Sequence, residues 1–199
     1  MTRFPFFVQT LAALMSTCTV GYLSRGLAIS PVTASIGLGL FAGVIQKWGS
    51  QSVRGLAFPI YCGSFAGMTD PKWMPDLRWV GGVGLCCGIL WNILEQRFLG
   101  IGGRLGLIAF LANLFVLSFL GMIGKFQFLT GARDISFSHV ALLVSFSLGT
   151  SGLSYGFNHL IRLGSIWGSA CAALVFIIVA RTLGVDQFEA LIFGASFIG

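Results

Sequence analysis

Residues 105–123 run from Leu105 to Ile123 without one charged side chain, and apolar stretches of the same kind recur along the chain. Such runs need an apolar surrounding. A bilayer's hydrocarbon core is about 30 Å thick and takes about 20 apolar residues to cross as a helix. In hydrocarbon the backbone must satisfy its own hydrogen bonds, so only helices and closed barrels span. Barrel strands are short and alternate apolar with polar residues. The runs here are long and unbroken, which leaves helices. Composition agrees: 9% of residues are charged, against about 25% in a soluble domain, too few to coat a water-facing surface.

The expected fold is therefore an all-α integral membrane protein forming one transmembrane domain over residues 1–199. Spanning helices are expected at 4–24, 29–47, 79–98, 104–124, 137–158 and 163–182. Two shorter apolar segments, 56–68 and 188–199, reach roughly 20 Å as helix, less than the bilayer requires. They are expected to be re-entrant or half-spanning. The first apolar run follows Arg3 but lacks an A-x-A cleavage site, so it is expected to be retained.

The net charge is +6, but Arg25, Lys47, Arg54, Lys72, Arg78 and Arg104 stand singly between apolar runs. No cluster grips phosphates, so the expected partner is the lipid bilayer and not nucleic acid. Cys18, Cys62, Cys86, Cys87 and Cys171 show no metal-ligand spacing and read as small packing residues. No cofactor or metal is implied. Paired carboxylates, HExxH, GxSxG and P-loop patterns are all missing from the sequence, so an enzyme is not expected. A membrane-embedded enzyme would require acidic or histidine groups converging in the fold.

The chain also repeats itself. At an offset of 134, Ile29, Val32, Ala34 and Ser35 meet Leu163, Ile166, Gly168 and Ser169; at 132, Ile60, Ser64, Phe65 and Gly67 meet Ile192, Ser196, Phe197 and Gly199. Tyr22 and Tyr155 fall at a similar offset in the preceding helix. The expected units are 4–68 and 137–199, with helices 79–124 inserted between them. Each unit is two long helices followed by a short Gly/Ser-Phe segment. Short, Gly- or Pro-interrupted segments at matching places in two halves are a pointer to a transporter's binding site. The second unit reaches Gly199 still inside an apolar run, leaving a helix face for a further segment, a second copy or a partner subunit to cover.

Charge bears on topology. If residues 56–68 span, Lys and Arg divide six against six; if they turn back, eight against four, with the N-terminus on the richer side. Cytoplasmic loops carry the Lys/Arg excess. The returning arrangement is therefore favoured, with a cytoplasmic N-terminus in a plasma or inner membrane and repeat units running in the same direction.

Small and polar residues three and four apart share helix faces: Gly81, Gly84, Gly88, Asn92 and Glu95; Gly102, Gly106, Ala109 and Asn113; Ser35, Gly39, Gly43 and Gln46; Ser145, Gly149, Gly152, Gly156 and His159. Small residues let helices approach closely, whereas polar groups within a span are costly and face inward. The expected pathway residues are Ser64, Phe65, Asn92, Glu95, Asn113, Ser196 and Phe197. The leading expectation is a transporter or channel-like protein for a small solute or ion, its site between the two short segments. A non-transporting scaffold or accessory subunit, using the same faces only for packing, is the alternative.

Overall fold

The computed structural model describes residues 5–69, 74, 76–95, 97, 104–122, 137–159 and 164–182, without the side chains of 137–144 and 146. Among the described residues the structure is all-helical: α1 (Phe6–Gly26), α2 (Pro31–Trp48), α3 (Ala57–Ala66), α4 (Leu77–Leu94), α5 (Arg104–Met122), α6 (Phe137–His159) and α7 (Ser165–Thr182). A 3-10 turn, Arg54–Leu56, leads into α3. The long helices lie where the apolar runs place them. Four of them, α1, α4, α5 and α7, are long and apolar enough to cross a membrane. Their outward faces carry Phe7, Met15, Ile93, Phe110, Phe115 and Ile178, all more than half exposed. An apolar exterior of this extent is stable against lipid and not against water.

Helix directions follow from contacts. Asn92, late in α4, bonds Thr10 near the start of α1, whereas Gly21, late in α1, meets Leu77 and Val80 at the start of α4. These two helices are antiparallel. Their seam is the small-residue face expected on α4: an added Cβ at Gly84 falls 2.8 Å from Thr17 Cβ, and at Gly88 2.6 Å from Thr10 Cα. On α3, Ile60 and Gly63 meet Ser16 and Thr17, and Gly67 meets Val20, so α3 runs parallel to α1. It opposes α2, where Ser35 bonds Ser64 and Gly39 faces Tyr61. On α5, Leu105 lies beside Cys62 and Asn113 beside Ala66, parallel to α3. Finally, α7 is antiparallel to α2 through Gly43 with Trp167 and Thr33 with Arg181, and α6 is antiparallel to α7 through Asn158 with Gly168 and Gly149 with Phe176.

The short helix is the hub. It has ten residues, of which eight are buried, and it packs against α1, α2, α4 and α5. As an α-helix it measures about 15 Å, half a bilayer core. Its path corrects the returning arrangement. The chain enters α3 from the end of the bundle where α2 stops. Beyond Thr69 the next described residue, Met74, accepts a 2.7 Å hydrogen bond from Arg25 Nη2 at the opposite end. There Asp76 caps α4, accepting from the Arg78 amide at 2.9 Å. The described residues on either side of α3, Arg54 and Met74, therefore lie at opposite ends of the bundle, which is not the placement expected of a segment that turns back.

Since α7 is antiparallel to α2 and to α6, and α2 is antiparallel to α3 and so to α1, the helices α6 and α7 run opposite to α1 and α2 respectively, against the same-direction arrangement expected. The second short segment, 188–199, lies outside the described residues.

Candidate functional site

The broken end of α3 sits at mid-height of the bundle. Gly67 is level with Thr17 and Val20 on α1, and Ala66 is level with Asn113, the central residue of α5. A helix that stops there leaves some of its last carbonyls without intrahelical partners. The Gly67 and Met68 amides take Gly63 O and Phe65 O, side chains meet Ala66 O, and neighbouring hydroxyls add further bonds to Gly63 O and Ile60 O. Thr17 Oγ1 donates to Gly63 O at 2.8 Å as well as to Ala13 O at 2.9 Å, and Ser16 Oγ donates to Ile60 O at 2.6 Å. Asn113 Nδ2 donates to Ala66 O at 3.2 Å and to Ala109 O at 3.1 Å. Thr69 Oγ1 lies 3.2 Å from Ala66 O and makes a short contact with Asn113 Oδ1.

A second polar layer flanks the first. Ser35 Oγ donates to Ser64 Oγ at 2.9 Å, Ser64 Oγ donates to Tyr61 O at 2.7 Å, and Tyr61 OH lies 3.4 Å from Ser169 Oγ on α7. All four side chains are buried. The Tyr61 ring packs on Phe65, with centroids 4.9 Å apart. Below them Cys62 Sγ and Cys87 Sγ are 3.4 Å apart, and Phe58 stacks on Trp91. The region offers hydroxyls, a carboxamide and backbone carbonyls, with no carboxylate or imidazole in the contacts just described. That chemistry can bind and orient polar groups.

The expected pathway residues divide in two. Ser64, Phe65 and Asn113 gather at the end of α3. Asn92 and Glu95 do not, which corrects their assignment to the same site. Asn92 Nδ2 bonds Gly88 O at 2.8 Å and Thr10 Oγ1 at 3.2 Å, fastening the end of α4 to the start of α1. Glu95 follows α4 at the same end of the bundle, and Arg104 Nη1 takes its backbone carbonyl at 2.7 Å while lying over the Trp91 ring. Ser196 and Phe197 lie outside the described residues. Thr17, Tyr61 and Thr69 belong to the site and were not anticipated. The signal for Thr17 was legible: Thr10, Thr17 and Gly21 sit seven and four apart on one face of α1, opposite the glycines of α4.

A groove of about 770 Å³ between α4 and α5, lined by Trp79, Leu85, Ile89, Leu114, Phe115 and Phe119, opens outward. It is apolar and separate from the end of α3.

These features define the class as a helical protein with four helices long and apolar enough to cross a membrane and a short buried helix packed among its neighbours. No family model, curated protein or solved structure matches the chain.

Proposed function

We propose that the chain forms part of a transporter or channel-like protein whose pathway passes the broken end of α3. One observation carries the reading: a ten-residue helix, packed among four others, ends at mid-height and its last carbonyl is met by Asn113 and Thr69. Non-helical backbone at membrane depth is tolerated only inside protein or along a wet cavity, and discontinuous helices at the midplane are how many transporters hold their solutes.

The proposed duplication supports the same reading, with the units inverted. Helices α2 and α7 each have 18 residues, and both their first and last residues are 134 apart. The α2–α7 contacts, Gly43 with Trp167 and Thr33 with Arg181, pivot close to Gly39 and Ala173. These residues lie midway along each helix and are partners at that same offset. Inverted repeats related by a two-fold axis in the membrane plane are a recurrent transporter architecture. On this reading α2 and α6 also cross the membrane, giving six long spans besides α3.

A scaffold or accessory subunit is the second reading. Its support is the closure of the polar layer, in which Ser35, Ser64, Tyr61 and Ser169 are buried and satisfy one another. Thiol labelling separates the two. With the five native cysteines replaced, Thr69→Cys and Asn113→Cys should react with a membrane-impermeant methanethiosulfonate. Phe115→Cys, which is 70% exposed on the outer face of α5, should be shielded by lipid. Silence at both Thr69 and Asn113 would favour the scaffold.

A further inference from the structure

We propose that the groove between α4 and α5 holds one acyl chain of an anionic phospholipid, whose phosphate meets Arg78 at the groove's outer end. The inference goes beyond the transport reading and does not depend on it. It needs only that α4 and α5 stand in a bilayer.

The two helices are antiparallel. Arg104, at the start of α5, lies over Trp91 and bonds Glu95 O just beyond α4. Phe119, late in α5, meets Trp79 near the start of α4, with ring centroids 6.4 Å apart. On α4 the groove runs from Trp79 to Leu90, and on α5 from Phe119 back to Leu111, beside the central Asn113. Residues 79–90 rise about 16 Å as helix, which is one leaflet of a hydrocarbon core about 30 Å thick. The groove thus matches a chain that enters from one surface and stops at the midplane. A transmembrane helix from a second copy would continue through the other leaflet.

The floor of the groove is open. Gly82 lines it, and a Cβ placed there meets nothing within 4 Å. Gly84 and Gly88 let α1 approach α4. Gly82 serves no such approach among the described residues, although glycine weakens a helix. Leu85, Leu114 and Phe115 stand around it as exposed walls.

Charge selects the lipid. Arg78 precedes Gly82 by four residues, Leu85 by seven and Ile89 by eleven, so it extends the groove's face by one turn toward the α4 N-terminus. It is exposed, and Asp76 takes its amide. Among the described residues no hydrogen bond or ion pair holds its guanidinium, a group that matches phosphate in geometry and sign. Trp79 beside it is a side chain suited to headgroup level. An anionic headgroup offers the phosphate without the ammonium of a zwitterionic one.

The test uses the full chain in phosphatidylcholine vesicles at low salt. The quencher is phosphatidylglycerol brominated near the headgroup end of its acyl chains, and the Trp79 signal is the emission lost in Trp79→Phe. One arginine near a membrane surface gives anionic lipid about a fivefold preference, so Trp79 should be half-quenched at a mole fraction of about 0.17, against about 0.5 for brominated phosphatidylcholine. Arg78→Gln should bring phosphatidylglycerol to the phosphatidylcholine value, and Arg78→Lys should keep the preference. Gly82→Leu should reduce the depth of quenching by both lipids. Equal half-quenching by the two lipids in the parent chain, no effect of Arg78→Gln, or undiminished quenching in Gly82→Leu overturns the site. Quenching by neither lipid also overturns it, by placing a second copy over the groove. Thiol labelling at Thr69 and Asn113 decides the transport reading separately.

Discussion

Gly63→Ala asks whether α3 lies against the backbone of α1 as closely as described. A Cβ at Gly63 would collide with the Ala13 carbonyl oxygen and would lie 2.8 Å from Ala13 Cα and 2.9 Å from its carbonyl carbon. Backbone cannot rotate out of the way, so α3 must retreat by about 1 Å to restore van der Waals separation. That retreat stretches the Ser16–Ile60 and Thr17–Gly63 hydrogen bonds, now 2.6 and 2.8 Å, to lengths beyond which little bonding remains. Two lost bonds cost about 2 kcal/mol. Disturbed packing adds about 1–3 kcal/mol, and the better helix propensity of Ala returns about 1 kcal/mol. The net loss is about 2–4 kcal/mol. Gly82 is the control, since a Cβ there meets nothing within 4 Å and Gly82→Ala should be stabilising by up to about 1 kcal/mol. Thermal unfolding of both variants in detergent, followed by circular dichroism, should separate their midpoints by roughly 4–20 °C. Indistinguishable midpoints would mean that α3 does not pack on Ala13 and that the broken helix is misplaced.

Two further outcomes test the same region. Thr17→Val removes a hydroxyl that serves both Ala13 O and Gly63 O and should destabilise by about 1–2 kcal/mol. Thr19→Val, whose exposed hydroxyl bonds only Met15 O, should change stability by less than about 0.5 kcal/mol; equal effects in chemical unfolding would refute the distinction. Diamide should oxidise Cys62 and Cys87 to a disulfide, the two thiol hydrogens passing to the reagent, because their sulfurs are 3.4 Å apart. Cys86, partly exposed on the next position of α4, should remain open to alkylation. Peptide mass spectra showing Cys62 and Cys87 both still alkylated would contradict the α3–α4 register.

The long helices were legible because an apolar run is bounded by the residues that cannot stay in lipid. Arg104 begins α5 where the run begins, and Arg25 and Lys47 stand in the last turns of α1 and α2. The face of α4 was legible too, since Gly84, Gly88 and Asn92 meet one helix in sequence order. What that face meets was not. Spacing identifies a shared side but not its height, so Asn92 and Glu95 were grouped with Asn113 although they lie at one end of the bundle. The path of residues 56–68 was misjudged for a different reason. Hydropathy and length treat a segment as solvated by lipid, in which ten helical residues are too few. Here the segment is solvated by other helices. Asn113 takes the Ala66 carbonyl and Thr17 adds a bond to Gly63 O, so α3 can end among other helices.

One part of the charge pattern then has a physical origin on the inverted reading. Lys47 and Arg181 stand one residue from the ends of α2 and α7, at the common offset of 134. Each places a cation at a helix C-terminus, where it is favoured. Because the two helices run in opposite directions, these equivalent cations point to opposite ends of the bundle. A duplicated unit that carries its basic residues at the same positions must, when inverted, supply both sides alike. Of the twelve Lys and Arg, Lys47 and Arg181 are the pair at that offset, so on the inverted reading the duplication accounts for one cation at each end. For that pair, inversion cancels the asymmetry on which the positive-inside rule depends.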